Sequence, residues 1–289
     1  MKVQYLYSQK TLTFITRFAP SPTGPLHLGH AYSAIIAHDM ARREGGKFYV
    51  RVEDLDQSRS KRKWENKIFD DLDWLGLSWD GPVVRQSEQV DIYKNILIRF
   101  QKELGLFECN CSRSDIKNAL NAPHEGEKLS GPDGIIYPGT CRENMFSSQS
   151  KFESALRMHI KSDKSGLFSF CELGPRKGEF SFSAEEFFKT VGDVVLWRKG
   201  YPAYHLACVV DDAKQKITHI VRGSDLFEAT KIHTVLNSRL GFKNPLYYHH
   251  KLICDENGRR LAKRHDAKSI YKYRQEGLKA SDVRSLIGF

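Results

Sequence analysis

The 289-residue sequence contains no long apolar run, no secretory signal peptide and no cysteine pattern of a disulfide framework. A membrane-spanning helix needs ~18 or more consecutive apolar residues, so we expect no membrane partner. Six cysteines in a chain of this size, without a signal peptide, indicate a reducing compartment, and we predict a cytoplasmic protein. In such a compartment, cysteines that lie close together suggest a metal site before a disulfide.

Positive charge is in excess, because 45 Lys and Arg residues face 35 Asp and Glu residues, a formal net charge of +10 at pH 7. This balance favours polyanionic partners such as nucleic acid or phosphorylated ligands, and a solvated basic surface is the alternative that charge leaves open. With 40% hydrophobic residues, the chain can bury the core of one or two domains.

Strand and helix patterns alternate from the start of the chain. Residues 12–18 predict a strand, residues 26–44 an amphipathic helix and residues 47–52 a second strand, which together favour a parallel α/β sheet. Helical spacing predicts further helices that cover the sheet, and later segments predict strands, or elements that periodicity leaves open between strand and helix. These further segments are 59–75 and 88–104 (helices), 152–182 (strands), 191–197 and 203–210 (strand or helix), and 226–240 (helix).

The loop after the first strand carries the motif Arg17-Phe-Ala-Pro-Ser-Pro-Thr-Gly-Pro-Leu-His-Leu-Gly-His30. A helix N-terminus offers unpaired backbone N–H groups and the positive end of the helix dipole, and Gly29 lets the backbone approach a ligand. His27 and His30 are then placed to donate to phosphate oxygens. Two histidines at a helix start are otherwise a metal pair or surface residues, and the residues alone leave these alternatives open.

This motif resembles the His-x-Gly-His signature of the class I aminoacyl-tRNA synthetases, and the residues before it are similar to the glutamyl and glutaminyl branch. The resemblance implies a Rossmann-like parallel sheet with helices on both faces. It also implies two groups of ligand-binding residues, namely Arg17, Ala19 and Ser21 at the glutamate site and His27, Gly29 and His30 at the ATP site.

Several carboxylates follow the second strand, at the strand end where open parallel sheets bind ligands. From the residues alone, a Mg²⁺ site is one interpretation of this cluster. The resemblance assigns Glu53 to the ammonium group of the amino acid. It leaves Asp54 and Asp56 to fix the loop through hydrogen bonds, with Arg59 as a neighbour.

Residues 201–225 are similar to the segment that completes the glutamate pocket in this branch. A guanidinium and a phenol can hold a side-chain carboxylate together and so discriminate glutamate from neutral amino acids, which is the role implied for Arg222 and Tyr204. A buried structural arginine is the alternative for Arg222. For Asp211 and Asp212 we consider adenosine binding or helix capping, and we favour capping for Asp212.

The basic run Gly258-Arg-Arg-Leu-Ala-Lys-Arg264 resembles the mobile Lys-Met/Leu-Ser-Lys loop of the branch. Lys263 matches the second lysine, Arg260 replaces the first and Ala262 replaces the serine. The resemblance implies that Arg260 and Lys263 bind ATP with its Mg²⁺, and that Lys263 acts in catalysis beside the two motif histidines. Taken alone, such a run is more often a solvated basic face.

Residues 109–142 are rich in Gly, Pro, Asn and charge, which predicts an inserted module. Cys109, Cys111 and Cys141 are suitable ligands for a structural Zn²⁺. Cys-x-Cys followed by Tyr-x-x-x-Cys resembles the zinc module of the short glutamyl-queuosine tRNA(Asp) synthetases, and this resemblance supplies Tyr137 as the fourth ligand. His124 is the competing ligand by ordinary zinc chemistry.

Only 26 residues follow Lys263, fewer than an anticodon-binding domain of ordinary size needs. The resemblance is therefore to the short paralogues, and it implies a tRNA-modifying ligase, expected to be a monomer. Such an enzyme activates L-glutamate with ATP without needing tRNA and transfers it to queuosine in the anticodon of tRNA(Asp). The alternatives are a minimal glutamyl-tRNA synthetase that charges tRNA(Glu), a non-catalytic RNA- or metal-binding relic, and a nucleotidyltransferase with the same fold.

The chain is accordingly predicted to fall into five segments. These are an N-terminal extension (1–11), the first half of a Rossmann-like catalytic domain (12–107), an inserted zinc module (108–150), the remainder of the catalytic domain (151–250), and an ATP-loop segment with a short C-terminal helix (251–289).

Overall fold

The computed structural model describes residues 13–120, 130–147, 149–160, 166–254 and 268–289. In these ranges no helix is both long enough and apolar enough to span a bilayer. Several predictions concern residues outside the described ranges, namely the extension 1–11, His124, Arg260, Ala262 and Lys263.

Strands and helices alternate along the described chain. The strands are β1 (Ile15–Phe18), β2 (Lys47–Val52), β3 (Val84–Arg85), β4 (Leu106–Cys109), β5 (Ser130–Gly131), β6 (Gly134–Ile135), β7 (Ala155–Met158), β8 (Leu167–Glu172), β9 (Gly178–Ser183), β10 (Val194–Arg198), β11 (Tyr201–Pro202), β12 (His219–Gly223) and β13 (Leu246–His250). The helices are α1 (Leu28–Arg43), α2 (Arg62–Trp74), α3 (Val90–Arg99), α4 (Arg113–Leu120), α5 (Ala184–Thr190), α6 (Tyr204–Lys214), α7 (Thr230–Arg239), α8 (Ile270–Gln275) and α9 (Ala280–Leu286).

Two groups of parallel strands lie side by side at the centre. In the first, β2 pairs with β1 and β3, and in the second, β13 pairs with β12 and β8, while β9 adds an antiparallel edge. The N–H of Thr218, just before β12, donates to the carbonyl oxygen of Ile15 in β1 at 3.0 Å. The first part of the chain therefore meets a much later part between β1 and β12.

An antiparallel sheet in the order β11-β10-β7-β4 forms a second layer, and β5 and β6 make a separate hairpin. β4 runs across the boundary predicted at residue 107, and its partner β7 lies beyond the predicted module 108–150. Strand pairing thus connects both flanks of the predicted module 108–150, and the five-segment division stays a prediction.

Helices cover both faces of the parallel strands, as the resemblance to the class I synthetases implied. Along β12, Ile220 packs into an apolar cluster that contains residues of α6 and α7, whereas Val221 packs into a cluster with residues of α1 and α2. Successive side chains of a strand point to opposite faces, so these two clusters lie on opposite sides of the sheet. Each fully buried Val, Ile or Leu side chain contributes about 1.5–3 kcal/mol to folding.

The periodic patterns located most elements. The helix predicted at 88–104 ends at Arg99, and residues 204–210, part of a segment left open between strand and helix, lie in α6. α6 is buried on all sides from His205 to Asp212, so its sequence lacks the amphipathic spacing that distinguishes a helix from a buried strand. Leu75 and Leu77, which follow α2, lie in the core.

Candidate active site

A cavity of about 700 Å³ opens beside the carboxyl ends of the parallel strands, at the start of α1. This is the edge at which open α/β sheets bind ligands. The predicted glutamate and ATP residues that the structure describes all line it, namely Arg17, Ala19, Ser21, His27, Gly29, His30, Glu53, Tyr204 and Arg222. The chain thus brings together residues that are up to 205 positions apart.

His27 and His30 form the N-terminal cap of α1. The N–H of Gly29 donates to Nδ1 of His27 at 3.1 Å, and the N–H of His27 donates to Nδ1 of His30 at 3.1 Å. The ring centroids are 3.8 Å apart. A Cβ atom at position 29 would lie 3.0 Å from Cε1 of His27, so the glycine also makes room for this imidazole. The helix start therefore presents two ordered imidazoles and its positive dipole end to the cavity.

A buried network of charges joins the two halves of the site through Asp212. Its carboxylate pairs with Arg17 at 2.9 Å and with Arg51 at 2.6 Å, and Arg51 also reaches Glu53 at 3.1 Å. Burial opposes ionisation of Asp212, but the two guanidinium groups outweigh it and lower the pKa of the carboxyl. For Glu53 the balance is reversed, because burial raises its pKa despite the contact with Arg51.

Asp211 extends this network away from the cavity. It accepts hydrogen bonds from Gln86 at 2.9 Å and from Tyr93 at 2.8 Å. Both Asp211 and Asp212 lie inside α6, whose C-cap is Gln215, and neither lines the cavity. The interpretation of Asp212 as a helix cap is therefore wrong, because its carboxylate is the counter-ion of two buried arginines.

Arg51 was missed by the sequence reasoning. Its signal is a charge within β2, where the neighbours Val50 and Val52 are fully buried. An arginine that is completely buried needs an anionic partner. That partner is Asp212, which lies 161 residues further along the chain. The sequence around Arg51 therefore gives no indication of which carboxylate pairs with it.

Arg222 is also buried, with 5% of its surface exposed, but its partners are of a different kind. It donates to Nε2 of His249 at 3.1 Å and to Thr230 Oγ1 at 2.8 Å, and a third nitrogen lies 3.2 Å from Nδ1 of His233. Among the described residues, no carboxylate lies within 4.0 Å of its guanidinium. The guanidinium of Arg222 thus borders the cavity, and its described hydrogen-bond partners are neutral groups.

The histidines beside Arg222 are uncharged near neutral pH. Burial lowers the pKa of His249 to about 4, and the positive charge of Arg222 acts in the same direction. Burial and Arg222 likewise hold the pKa of His233 well below its ordinary value. Neither histidine nor Glu172, which hydrogen-bonds His249 at 2.5 Å, was singled out from the sequence, because they follow no motif.

Tyr204, the first residue of α6, also lines the cavity. It is 39% exposed, since it borders the open cavity. The enclosed surroundings of its hydroxyl, followed by the proximity of Cys208 and Glu53, raise the pKa of Tyr204 well above its ordinary value. The phenol therefore stays protonated and can donate a hydrogen bond to an anionic ligand.

The other two carboxylates after β2 fix the loop, as predicted. Asp54 accepts hydrogen bonds from the N–H and the hydroxyl of Ser87 at 2.8 and 2.6 Å. Asp56 pairs with Arg59 at 2.6 Å and accepts a hydrogen bond from Ser58. These interactions leave Glu53 as the carboxylate of this cluster that borders the cavity.

Both described ends of the segment that contains Arg260 and Lys263 flank the cavity. Before the segment, Leu252 and Ile253 line the cavity wall. After it, Ser269 forms a β-bridge with His27, next to which the N–H of Ile270 donates to the carbonyl oxygen of Leu26 at 2.9 Å.

The three cysteines of the predicted module 108–150 converge, together with Tyr137. The sulfur atoms of Cys109, Cys111 and Cys141 lie within 4.8 Å of one another. The Tyr137 hydroxyl oxygen is 3.4 Å from Sγ of Cys109 and 3.3 Å from Sγ of Cys111. A hydrogen bond with Tyr137 lowers the pKa of Cys141, which favours its thiolate. None of the four residues lines the cavity.

Comparison with known proteins identifies relatives over nearly the whole chain. The family of class I tRNA synthetases (E and Q), catalytic domain, matches residues 13–287. The glutamyl-Q tRNA(Asp) synthetase of Rhodobacter capsulatus is 51% identical over 95% of this chain and 99% of its own length. The protein of that name from Geobacter sulfurreducens is 38% identical, over 89% of this chain and 77% of its own length.

Longer relatives share the same region. The glutamate–tRNA ligase of Nitratidesulfovibrio vulgaris (strain DP4) is 36% identical over 91% of this chain, which spans 54% of that protein. The crystal structure of a glutamate tRNA ligase from Elizabethkingia meningosepticum, in complex with its amino acid, superimposes with a TM-score of 0.69 at 27% identity. The alignment covers 92% of this chain and 53% of that one.

The buried histidines predict a pH-dependent stability. The pKa of His249 is about 4 in the folded protein, below the value of about 6.5 in the unfolded chain. The contribution of the neutral imidazole to the free energy of unfolding is therefore complete above pH 6.5 and is lost as the pH falls towards 4. In this window the free energy of unfolding of His249→Gln should fall less steeply than that of the wild type, by up to about 1.4 kcal/mol per pH unit. Urea titrations from pH 4 to 8 measure both slopes.

Above pH 7 the slopes of wild type and His249→Gln should coincide, which makes the neutral range an internal control. Equal slopes between pH 4 and 6.5 would contradict a neutral, buried His249.

Proposed function

Because the chain belongs to the class I tRNA synthetases for glutamate and glutamine, we propose that it activates L-glutamate with ATP. Activation needs no tRNA, and the glutamyl group then passes to queuosine in the anticodon of tRNA(Asp). The observation that carries this proposal is Arg222, a buried cation that borders the cavity and has neutral partners among the described residues.

The charges of the cavity match those of glutamate. Arg222 and the protonated Tyr204 bind the side-chain carboxylate, since a desolvated guanidinium favours a carboxylate over the amide of glutamine. Glu53 receives the ammonium group. Ala19 and Ser21 shape the wall between them, and Arg17, which Asp212 already neutralises, orients this wall rather than supplying net charge.

The phosphates of ATP lie at the start of α1. Gly29 and the two histidines of the cap offer a helix N-terminus and hydrogen-bonding rings where negative charge develops. Arg260 and Lys263 add positive charge from the segment whose two ends flank the cavity, and Mg²⁺ accompanies the nucleotide. His27, His30 and Lys263 are thus the proposed catalytic residues.

Two displacements complete the reaction. An oxygen of the α-carboxylate of glutamate attacks the α-phosphorus of ATP, and pyrophosphate leaves to give glutamyl adenylate. A hydroxyl of the cyclopentene ring of queuosine then attacks the carbonyl carbon and loses its proton, and AMP leaves. The protein mainly positions the reactants and stabilises the developing charge.

Queuosine as acceptor is supported by the relatives, since identity is 51% with a glutamyl-Q tRNA(Asp) synthetase and 36% with a glutamate–tRNA ligase. The second candidate is the charging of tRNA(Glu), which the same adenylate chemistry permits. The tRNA partner is therefore the part of the proposal that an acceptor assay must decide.

Radiolabelled glutamate should be transferred to tRNA(Asp) that carries queuosine, in the presence of ATP and Mg²⁺. The matched control is tRNA(Asp) without queuosine, which lacks the cyclopentene hydroxyl groups and should remain unlabelled. Labelling of tRNA(Glu) would instead establish a charging enzyme. If no RNA is labelled although glutamate-dependent pyrophosphate exchange occurs, the acceptor assignment is wrong.

Replacement Arg222→Gln should lower kcat/KM for glutamate by roughly 100-fold or more, because a buried ligand carboxylate then loses its charged partner. The preference for glutamate over glutamine should shrink at the same time. ATP–pyrophosphate exchange with each amino acid measures both effects. Arg99→Gln makes the same chemical change at an exposed position of α3 and should leave exchange intact, whereas equal losses in both variants would argue against the assigned role.

The cysteine cluster fits a structural Zn²⁺. A tetrahedral ion with sulfur ligands at about 2.3 Å separates its ligand atoms by roughly 3.8 Å. Sγ of Cys111 lies 3.4 Å from Sγ of Cys141 and 3.3 Å from the hydroxyl oxygen of Tyr137, which is close to that separation. Cys109, Cys111, Cys141 and Tyr137 would hold the ion, and it would stabilise the junction of β4 with the inserted module.

Purified protein should contain about one Zn²⁺ per chain by elemental analysis. Cys141→Ser should lose most of it, because an aliphatic alcohol, unlike a thiol or a phenol, does not readily ionise to an anionic ligand. Cys171→Ser, at an exposed cysteine outside the cluster, is the matched control and should retain the metal. Wild-type protein without zinc, or a Cys141→Ser variant with full occupancy, would rule out this site.

A further inference from the structure

The orientation of protons around Arg222 follows from its chemistry. A guanidinium carries only donors, so each atom that it contacts must present a lone pair. Nε2 of His249 lies 3.1 Å from Nε of Arg222 and must therefore be unprotonated. A neutral imidazole carries one proton, so the proton of His249 resides on Nδ1, which lies 2.5 Å from Oε2 of Glu172.

Glu172 is itself held in one orientation. Its other oxygen, Oε1, accepts the backbone N–H of Gly174 at 2.7 Å and that of His249 at 3.0 Å. An ionised carboxylate offers only acceptors, so Oε2 can face nothing but a donor. The carboxylate consequently selects the Nδ1-protonated form of His249, which is the form that can accept from Arg222.

A second chain of histidines obeys the same rule. Nδ1 of His233 faces Arg222 and must be unprotonated, so its Nε2 donates to Nδ1 of His205 at 3.0 Å. His205 then carries its proton on Nε2, which faces Oδ1 of Asp133 at 3.6 Å, in the turn between β5 and β6. One consistent set of proton positions satisfies every contact of the guanidinium.

We propose that Glu172 and His249 are positioning residues that set the specificity of the site for a carboxylate ligand. They fix the guanidinium of Arg222 through a neutral acceptor and keep the carboxylate of Glu172 one imidazole ring away from it. A carboxylate in direct contact with Arg222 would instead neutralise it and compete with the ligand. This inference rests on the proposed binding of the glutamate side chain by Arg222.

The isosteric replacement Glu172→Gln tests the arrangement. The two backbone N–H groups retain the amide oxygen, so the new NH₂ group faces Nδ1 of His249 and donates to it. The ring proton must then move to Nε2, where it opposes the N–H of Arg222. We expect the KM for glutamate to rise roughly 10- to 100-fold while the KM for ATP stays within about twofold.

Glu179→Gln, the same change at an exposed position of β9, is the matched control and should leave both KM values unaltered. The nitrogen spectrum of ¹⁵N-histidine-labelled protein supplies a readout that a purely structural role would not move. The wild-type His249 should carry its proton on Nδ1 without any ligand present, and folded Glu172→Gln should carry it on Nε2.

The outcomes separate this inference from the proposed function. Wild-type protein without glutamate-dependent pyrophosphate exchange would defeat the function, while the spectrum would still decide the proton positions. Normal exchange with an unchanged glutamate KM in folded Glu172→Gln would overturn the inference. If that variant does not fold, the wild-type spectrum decides alone, since a proton on Nε2 of His249 contradicts the inference and one on Nδ1 supports it.

Discussion

The geometry of the cavity depends on one buried carboxylate, that of Asp212. It lies between the guanidinium groups of Arg17 in β1 and Arg51 in β2, and it belongs to α6, which also supplies Tyr204. Without it, two buried cations would face each other in a medium that screens them poorly, and loss of one member of such a group costs about 3–5 kcal/mol. Asp212 therefore sets the distance between the wall that carries Glu53 and the wall that carries Tyr204.

Arg17 and Arg222 differ in whether a carboxylate of the protein neutralises their charge, and this difference would orient a bound amino acid in the cavity. Arg17 is neutralised within the protein, whereas Arg222 contacts neutral imidazoles. In the proposed function, the side-chain carboxylate of glutamate is drawn to Arg222 and its ammonium to Glu53. The α-carboxylate then points towards the start of α1, where ATP is proposed to bind. In this proposal, the same charges therefore select glutamate and orient its α-carboxylate for attack on the α-phosphorus of ATP.

Sequence reasoning located the parts of the site that lie in continuous motifs. The loop from Arg17 to His30 contains both several cavity-lining residues and the glycine beside the His27 ring, so one continuous segment predicts this part of the site; the helix cap that His27 forms was not predicted. The supporting residues were missed because their partners are distant in sequence. Asp212 is 195 residues from Arg17, and Glu172 is 77 residues from His249. The pairing of β13 with β8 brings Glu172 beside His249, whereas the hydrogen bond from Thr218 to Ile15 brings the chain that follows α6 beside β1.

The burial of α6 on all sides explains two observations. It is the reason that the sequence did not distinguish a helix from a strand there, and it is also the basis of the role of α6 in the site. A helix that is buried on all sides shows no polar face, and it can carry Asp211 and Asp212 inside the protein only because each finds buried partners. Those partners fix the helix along its length of about 16 Å, at 1.5 Å per residue. Tyr204, at its first residue, is held by the same interactions that stabilise the core. A site built on such an element keeps its ligand-binding groups in place before any ligand arrives.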